Sequence, residues 1–221
     1  LEDKQVNIVL FGPPGAGKGT QSDKIVKDFG LTKISTGDLL RNEIEKGSSL
    51  GAKIKSIIDE GNLVSDDIIN NLIENILGNT NSYKGIIFDG YPRNIRQAQS
   101  LDTLLKKYNQ KISCVLSLEV NKNAIIERIT SRLICSKCGS IFNKHFNKAT
   151  KDNHSCDPKF LITRSDDNIK TVENRFETYN KETMPIIKYY INQNILKEID
   201  GMQKIDQIYK EIRQIIDSLD T

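Results

Sequence analysis

The chain has 221 residues, enough for one well-packed core with insertions. Hydrophobic residues make up 37% and charged residues 28%, ordinary for a globular protein, and no apolar run reaches the length that crosses a bilayer. A formal charge of +3 is too small to argue for a nucleic-acid partner, since a few arginines focused on a polyphosphate account for it equally well.

Val6–Phe11 is an apolar run that reads as a buried strand. Gly12-Pro13-Pro14-Gly15-Ala16-Gly17-Lys18-Gly19-Thr20 follows, then a helical pattern from Gln21 to Phe29. Strand, glycine-rich loop and helix form the setting of a phosphate-binding loop. Glycines let successive N–H groups curl inward onto one anion, and the helix N-terminus adds its positive dipole end. Lys18 adds a mobile charge for the outer phosphates. The alternative is a tight turn that needs glycine for geometry alone. Such loops commonly place Ser or Thr after the lysine, where its hydroxyl binds magnesium. Here Gly19 stands there, so the metal is expected to be held in another way.

Lys33-Ile34-Ser35 reads as a short strand, and Ser35 or Thr36 as the cap of the next helix. Two short helices broken near Gly47-Ser48-Ser49, the turn Gly61–Val64, and a helix capped at Ser65-Asp66-Asp67 then precede a second buried strand, Gly85–Asp89. That span is long for a simple crossover and implies an inserted helical subdomain. A helix from about Asn94 to Tyr108, a strand from Ile112 to Val120 and a helix from Asn121 come next. The spacing places Arg128 and Arg132 four apart on one helical face. Periodicity fails from Leu133 to about Asp167. A helix runs from Asn168 to about Asn192 with a kink or break at Pro185, then a strand at Ile195–Ile199 and a final helix striped by Ile205, Ile208, Ile212, Ile215, Ile216 and Leu219.

Strands alternating with helices imply an α/β fold, a parallel sheet with helices on both faces and ligands at the carboxyl ends of the strands. Asp89 ends such a strand, where a carboxylate holds magnesium directly or through water; capping a helix is its other possible role. Water-mediated binding is expected here. Arg41, Arg93, Arg128, Arg132, Arg164 and Arg175 stand at loops or subdomain borders. An arbitrary arginine is a solvated charge, but phosphoryl transfer needs charge compensation and alignment, which guanidinium groups supply well.

The motifs G-P-P-G-A-G-K-G-T, I-S-T-G-D-L-L-R, F-D-G-Y-P-R-N-x-x-Q, E-R-x-x-x-R and R-x-D-D-N, in this order, resemble the adenylate kinase family with a long lid. The resemblance covers almost the whole chain. It implies a three-layer P-loop nucleoside triphosphate hydrolase-like fold. The core is expected at residues 1–34, 65–130 and 168–221, an AMP-binding subdomain at 35–64 and a lid at 131–167. It implies that Gly15, Ala16, Gly17, Lys18, Gly19 and Thr20 wrap the ATP phosphates, with Arg128 and Arg132 clamping them. Ile141, Phe142 and Gln203 lie near the ATP base. Thr36, Arg41, Asn62, Leu63, Val64, Gly90, Tyr91, Pro92, Arg93 and Gln97 form the AMP site, Gln97 reading adenine, and the Tyr91–Pro92 bond is cis. Arg164 and Arg175 close over the phosphates from the lid side. Lys18, Arg93, Arg128, Arg132, Arg164 and Arg175 are the catalytic set.

Three of the four cysteines fall between Cys135 and Cys156, which favours a reduced compartment and one metal site over a disulfide framework. Cys135 and Cys138 form a zinc-knuckle-like turn. Zinc-bearing members of the family complete the site with two cysteines or with a cysteine and an aspartate. Here His154, Cys156 and Asp157 compete for the second pair; a metal-free lid held by packing is the other reading. The resulting expectation is a monomeric, cytoplasmic enzyme transferring a phosphoryl group from MgATP to AMP, with zinc in the lid and neither membrane nor nucleic acid as partner. A related kinase using GTP or another acceptor, and more remotely a P-loop protein whose cysteine insertion is a nucleic-acid-binding zinc ribbon, are the competing readings.

Overall fold

The computed structural model describes residues 5–79 and 84–219. Its centre is a parallel sheet of β1 (Ile8–Phe11), β2 (Thr32–Ser35), β3 (Ile86–Asp89), β4 (Cys114–Glu119) and β8 (Leu196–Asp200), in the order β2-β3-β1-β4-β8. Strands buried on both faces need apolar side chains at both parities. Along β1 and β3, Val9, Phe11, Ile86 and Phe88 pack on one side, and Ile8, Leu10 and Ile87 on the other. The first side is covered by α2 (Thr36–Glu45), α3 (Ser49–Asp59), α4 (Asp66–Asn79), α5 (Ile95–Lys107) and α8 (Pro185–Ile191). The second is covered by α1 (Lys18–Phe29) and α9 (Ile205–Asp217), whose Ile208, Ile212 and Ile216 are buried. Buried Asn7 ties β1 to its neighbours: its Oδ1 accepts from Ile86 N and its Nδ2 donates to Lys111 O, each at 3.0 Å.

Side-chain caps start the helices where the sequence offers Ser or Asn. Ser35 Oγ accepts from Asp38 N at 3.3 Å, Ser48 Oγ from Gly51 N at 2.9 Å, and Asn94 Oδ1 from Gln97 N at 2.8 Å. Ser48 thereby divides α2 from α3, as the Gly47-Ser48-Ser49 break predicts.

Two elements depart from the sequence expectation. α6 (Lys122–Thr130) ends before Arg132, so Arg128 and Arg132 do not share a helical face. The chain leaves the helix at Ser131, because Arg132 opens β5 (Arg132–Cys135) and pairs with Asn143 of β6 (Ile141–Asn143). The aperiodic insertion is itself a three-stranded antiparallel sheet, β6-β5-β7, with β7 at Leu161–Ile162. Strands of two to four residues are too short to display a period. After α7 (Ile169–Thr178), a π turn at Tyr179–Thr183 leads into α8, which opens on Pro185. The missing N–H of proline costs nothing in a first turn. No helix among the described residues is long and apolar enough to cross a membrane.

Candidate active site

The glycine loop runs from the end of β1 to the start of α1, with Gly12, Gly15 and Gly17 at φ of 141°, 77° and 97°. Gly15 cannot be replaced cheaply: a Cβ there would lie 2.8 Å from Ile129 Cγ1. No side chain caps α1, so the donors of its first turn are available to an anion. Lys18 folds back over the loop, its Nζ donating to Gly12 O at 2.7 Å and Pro13 O at 3.0 Å. Burial lowers its pKa to about 8, the Asp89 carboxylate opposing and Arg93, Arg175 and Arg132 adding to the shift. Asp89 is nearly buried at the end of β3, with Ser22 Oγ donating to its Oδ2 at 3.4 Å.

Across the cavity, Gly90 O accepts from Thr36 Oγ1 at 2.7 Å and from Arg93 Nε at 2.8 Å. The Tyr91–Pro92 bond is cis. Gln97 is buried; its Oε1 accepts from Arg93 N at 2.7 Å and its Nε2 donates to Asp66 Oδ1 at 2.8 Å. Thr36, Leu63, Val64, Gly90, Arg93 and Gln97 surround one small recess, with Leu40 and Ile69 as its apolar wall. Arg41, Asn62, Tyr91 and Pro92 open onto the main cavity, where Arg41 is paired with Asp38 at 2.5 Å.

That cavity measures about 1640 Å³ and touches all of Gly15 to Thr20 on one side and Arg93 on the other. Arg128, Arg132, Arg164 and Arg175 line it as well. Arg132 reaches it from the lid strand with its fork closed on Asp167, Nε to Oδ2 at 2.8 Å. Arg175 donates to Asp166 Oδ2 at 2.8 Å, and Arg128 to Gly201 O at 3.0 Å. Arg164 Nε is buried with no hydrogen-bond partner among the described residues. Burial first, then the neighbouring arginines, bring the Arg93 and Arg164 pKa values down to about 10. Crowded, partly desolvated cations of this kind are stabilised by binding an anion.

Gln203 lines the end of the cavity nearest α9. Ile141 lies close over Gly19, where an added Cβ would meet its Cδ1 at 3.1 Å. Phe142, its neighbour on β6, is buried against the His154 ring with centroids 4.9 Å apart. The carboxylate partners Asp38, Asp166 and Asp167 were not anticipated as such. The signal for two of them was present, since R-x-D-D places acids beside the lid arginines.

In the lid, one ligand atom from each of Cys135, Cys138, His154 and Cys156 lies within 4.8 Å of the others. Asp157, expected as a competing ligand, stands outside this group; its Oδ1 accepts from Lys159 N at 2.9 Å and starts the short turn Pro158–Phe160. His154 Nε2 is buried and has no hydrogen-bond partner among the described residues. Ser140, 3.3 Å from Cys138 Sγ, pulls that thiol down to about 6 through its hydroxyl and backbone. Three sulfurs and one imidazole suit tetrahedral zinc.

The family model described as adenylate kinase matches residues 10–195. The adenylate kinase of Pelagibacter ubique (strain HTCC1062) is 43% identical over 211 residues, covering 96% of this chain and 99% of its own. The adenylate kinase of Methanosarcina barkeri (strain Fusaro / DSM 804) is also 43% identical, over 213 residues, covering 96% of this chain and 98% of its own. That of Archaeoglobus fulgidus (strain ATCC 49558 / DSM 4304 / JCM 9628 / NBRC 100126 / VC-16) is 38% identical over 216 residues, covering 97% and 99%. With a phosphate loop facing a second recess across an arginine-lined cavity, and with these matches over nearly its whole length, the chain belongs to the adenylate kinase family.

Proposed function

We propose that the protein transfers a phosphoryl group reversibly from MgATP to AMP, giving two ADP. The observation that carries this reading is the convergence of Lys18, Arg93, Arg128, Arg132, Arg164 and Arg175 on one cavity between the glycine loop and the recess at Thr36. A phosphoryl group passing between two nucleotides develops charge on its equatorial oxygens and on the bridging oxygens, and needs the two ends in line. Lys18 and the arginines supply the charge. The loop positions the donor, and Thr36, Arg41 and Arg93 position the acceptor. Asp89 holds magnesium through water, and the metal's contribution is to neutralise charge on the donor phosphates. No side chain is required as general base.

The Cys135, Cys138, His154 and Cys156 set holds zinc as a structural clip for the lid. The enzyme acts as a monomer, and the lid and the acceptor segment close over the phosphates to exclude water. Initial rates with ATP or GTP as donor and AMP, UMP, CMP or GMP as acceptor test the assignment. A clear preference for ATP with AMP is expected. Faster transfer from GTP, or to a pyrimidine monophosphate, would replace it with a related kinase.

A further inference from the structure

Asp89 sits beside an ammonium that the transfer chemistry does not use. Lys33 places its Nζ 3.8 Å from Asp89 Oδ2 and 2.8 Å from Asp23 Oδ1. The position follows from register. β2 and β3 run parallel, with Lys33 beside Ile87 and Ser35 beside Asp89, so Lys33 is one strand over and two residues short of the carboxylate. Its stem is long enough to bring the charge to the strand end. Asp23 comes from α1, the helix that the phosphate loop opens. All three side chains face the main cavity. Lys33 and Asp89 are largely shielded, at 20% and 12% side-chain exposure, whereas Asp23 is 54% exposed.

A shielded ammonium beside a carboxylate that must help hold a divalent cation has opposing effects. It compensates the carboxylate while no cation is there. It then repels the cation, more strongly than in open water because solvent screening is thin. Asp23 offers the same ammonium a second partner on the solvent side, at the shorter distance. We propose that Lys33 is a positioning residue for the reaction, acting through Asp89 to set the affinity for Mg2+, and that Asp23 moderates it by drawing the ammonium away. The proposal rests on the reading of Asp89 as the water-mediated magnesium carboxylate. It predicts an enzyme whose metal affinity is deliberately weakened by one charge and partly restored by another.

The test is calorimetric titration of Mg2+ into the full chain saturated with a bisubstrate analogue, two adenosines joined through a polyphosphate. Titration of the analogue itself without metal is the control. Lys33→Met is expected to bind Mg2+ roughly three- to tenfold more tightly, and Lys33→Arg to restore the parent value. Asp23→Asn is expected to weaken Mg2+ binding about threefold in the parent and to have no effect in the Lys33→Met background. A purely structural role for Lys33 would change melting without moving the metal constant. Lys33→Gln serves if Lys33→Met does not fold. Unchanged or weaker Mg2+ binding in Lys33→Met, or in Lys33→Gln where it stands in, overturns the proposal, as does an Asp23→Asn effect that persists without the lysine. Loss of metal-free analogue binding in Lys33→Met also overturns it, making Lys33 a phosphate ligand. Failure of the parent to bind the analogue at all would instead remove the nucleotide-transfer reading.

Discussion

Burial lowers the Lys18 ammonium to about 8, whereas a donor phosphate bound beside it, as proposed, favours the charged form. The two demands make donor binding pH-dependent in a defined direction. Below pH 8 the lysine is already protonated and adds no slope. Above it, the empty enzyme must take up a proton at Lys18 to bind ATP. Affinity for ATP then falls as pH rises, by up to about tenfold per unit. Dissociation constants measured between about pH 7 and 9, in buffers of differing ionisation heat, should show proton uptake growing across that range. Lys18→Met should lose the uptake and lower turnover by on the order of 10²–10³. An ATP affinity flat over the range would contradict the assignment. Lys18 and the arginines were legible in the sequence because their chemistry is carried by local motifs. Their restraints were not, because they join distant positions. Arg132 meets Asp167 across 35 residues, and Thr36 meets Gly90 across 54.

The lid shows the same division at the level of elements. Lost periodicity marks the segment as an insertion but does not reveal its sheet, since strands this short owe their existence to pairing with each other. Arg132 belongs to one of these strands although its spacing from Arg128 fits a helix, because tertiary pairing pulls it into β5. The cysteine turn at Cys135 and Cys138 was equally clear, whereas His154, Cys156 and Asp157 offered three donors for two places. Side-chain direction brings His154 and Cys156 to the cysteine pair and leaves Asp157 outside, and no spacing rule reports it. Cys156→Ser should therefore lose zinc and lower the melting temperature by several degrees, with further chelation having no effect. Asp157→Asn should keep about one zinc per chain and cost at most roughly 1 kcal/mol through its cap. Elemental analysis and thermal unfolding with and without chelator check both. Metal retained in Cys156→Ser but lost in Asp157→Asn would restore the aspartate as the ligand.

Across the whole molecule, the segment that carries the recess at Thr36 is tied at one corner to the end of the cysteine-bearing insertion and the helix after it. The end of α3 meets the start of α7: Thr171 Oγ1 donates to Asp59 O at 3.0 Å, and Asn174 Nδ2 donates to Glu60 O. Ser165 Oγ, between β7 and α7, donates to Asp59 Oδ1 at 3.1 Å. Gly61 makes the corner possible, at φ 79° with Thr171 O only 3.0 Å from where a Cβ would stand. Arg175 follows on the same helix and is held by Asp166, so the corner and this cavity-lining arginine are connected through α7. Thr171 is buried and Ser165 exposed, which separates their expected effects. Thr171→Val leaves the Asp59 carbonyl without its side-chain donor and should cost about 1–3 kcal/mol in denaturant unfolding. Ser165→Ala should stay within about 0.5 kcal/mol. If the recess at Thr36 is the acceptor site proposed above, loosening this tie in Thr171→Val should also raise KM for AMP more than KM for ATP. Equal shifts in the two constants would mean that the corner supports the fold without linking the two nucleotide sites.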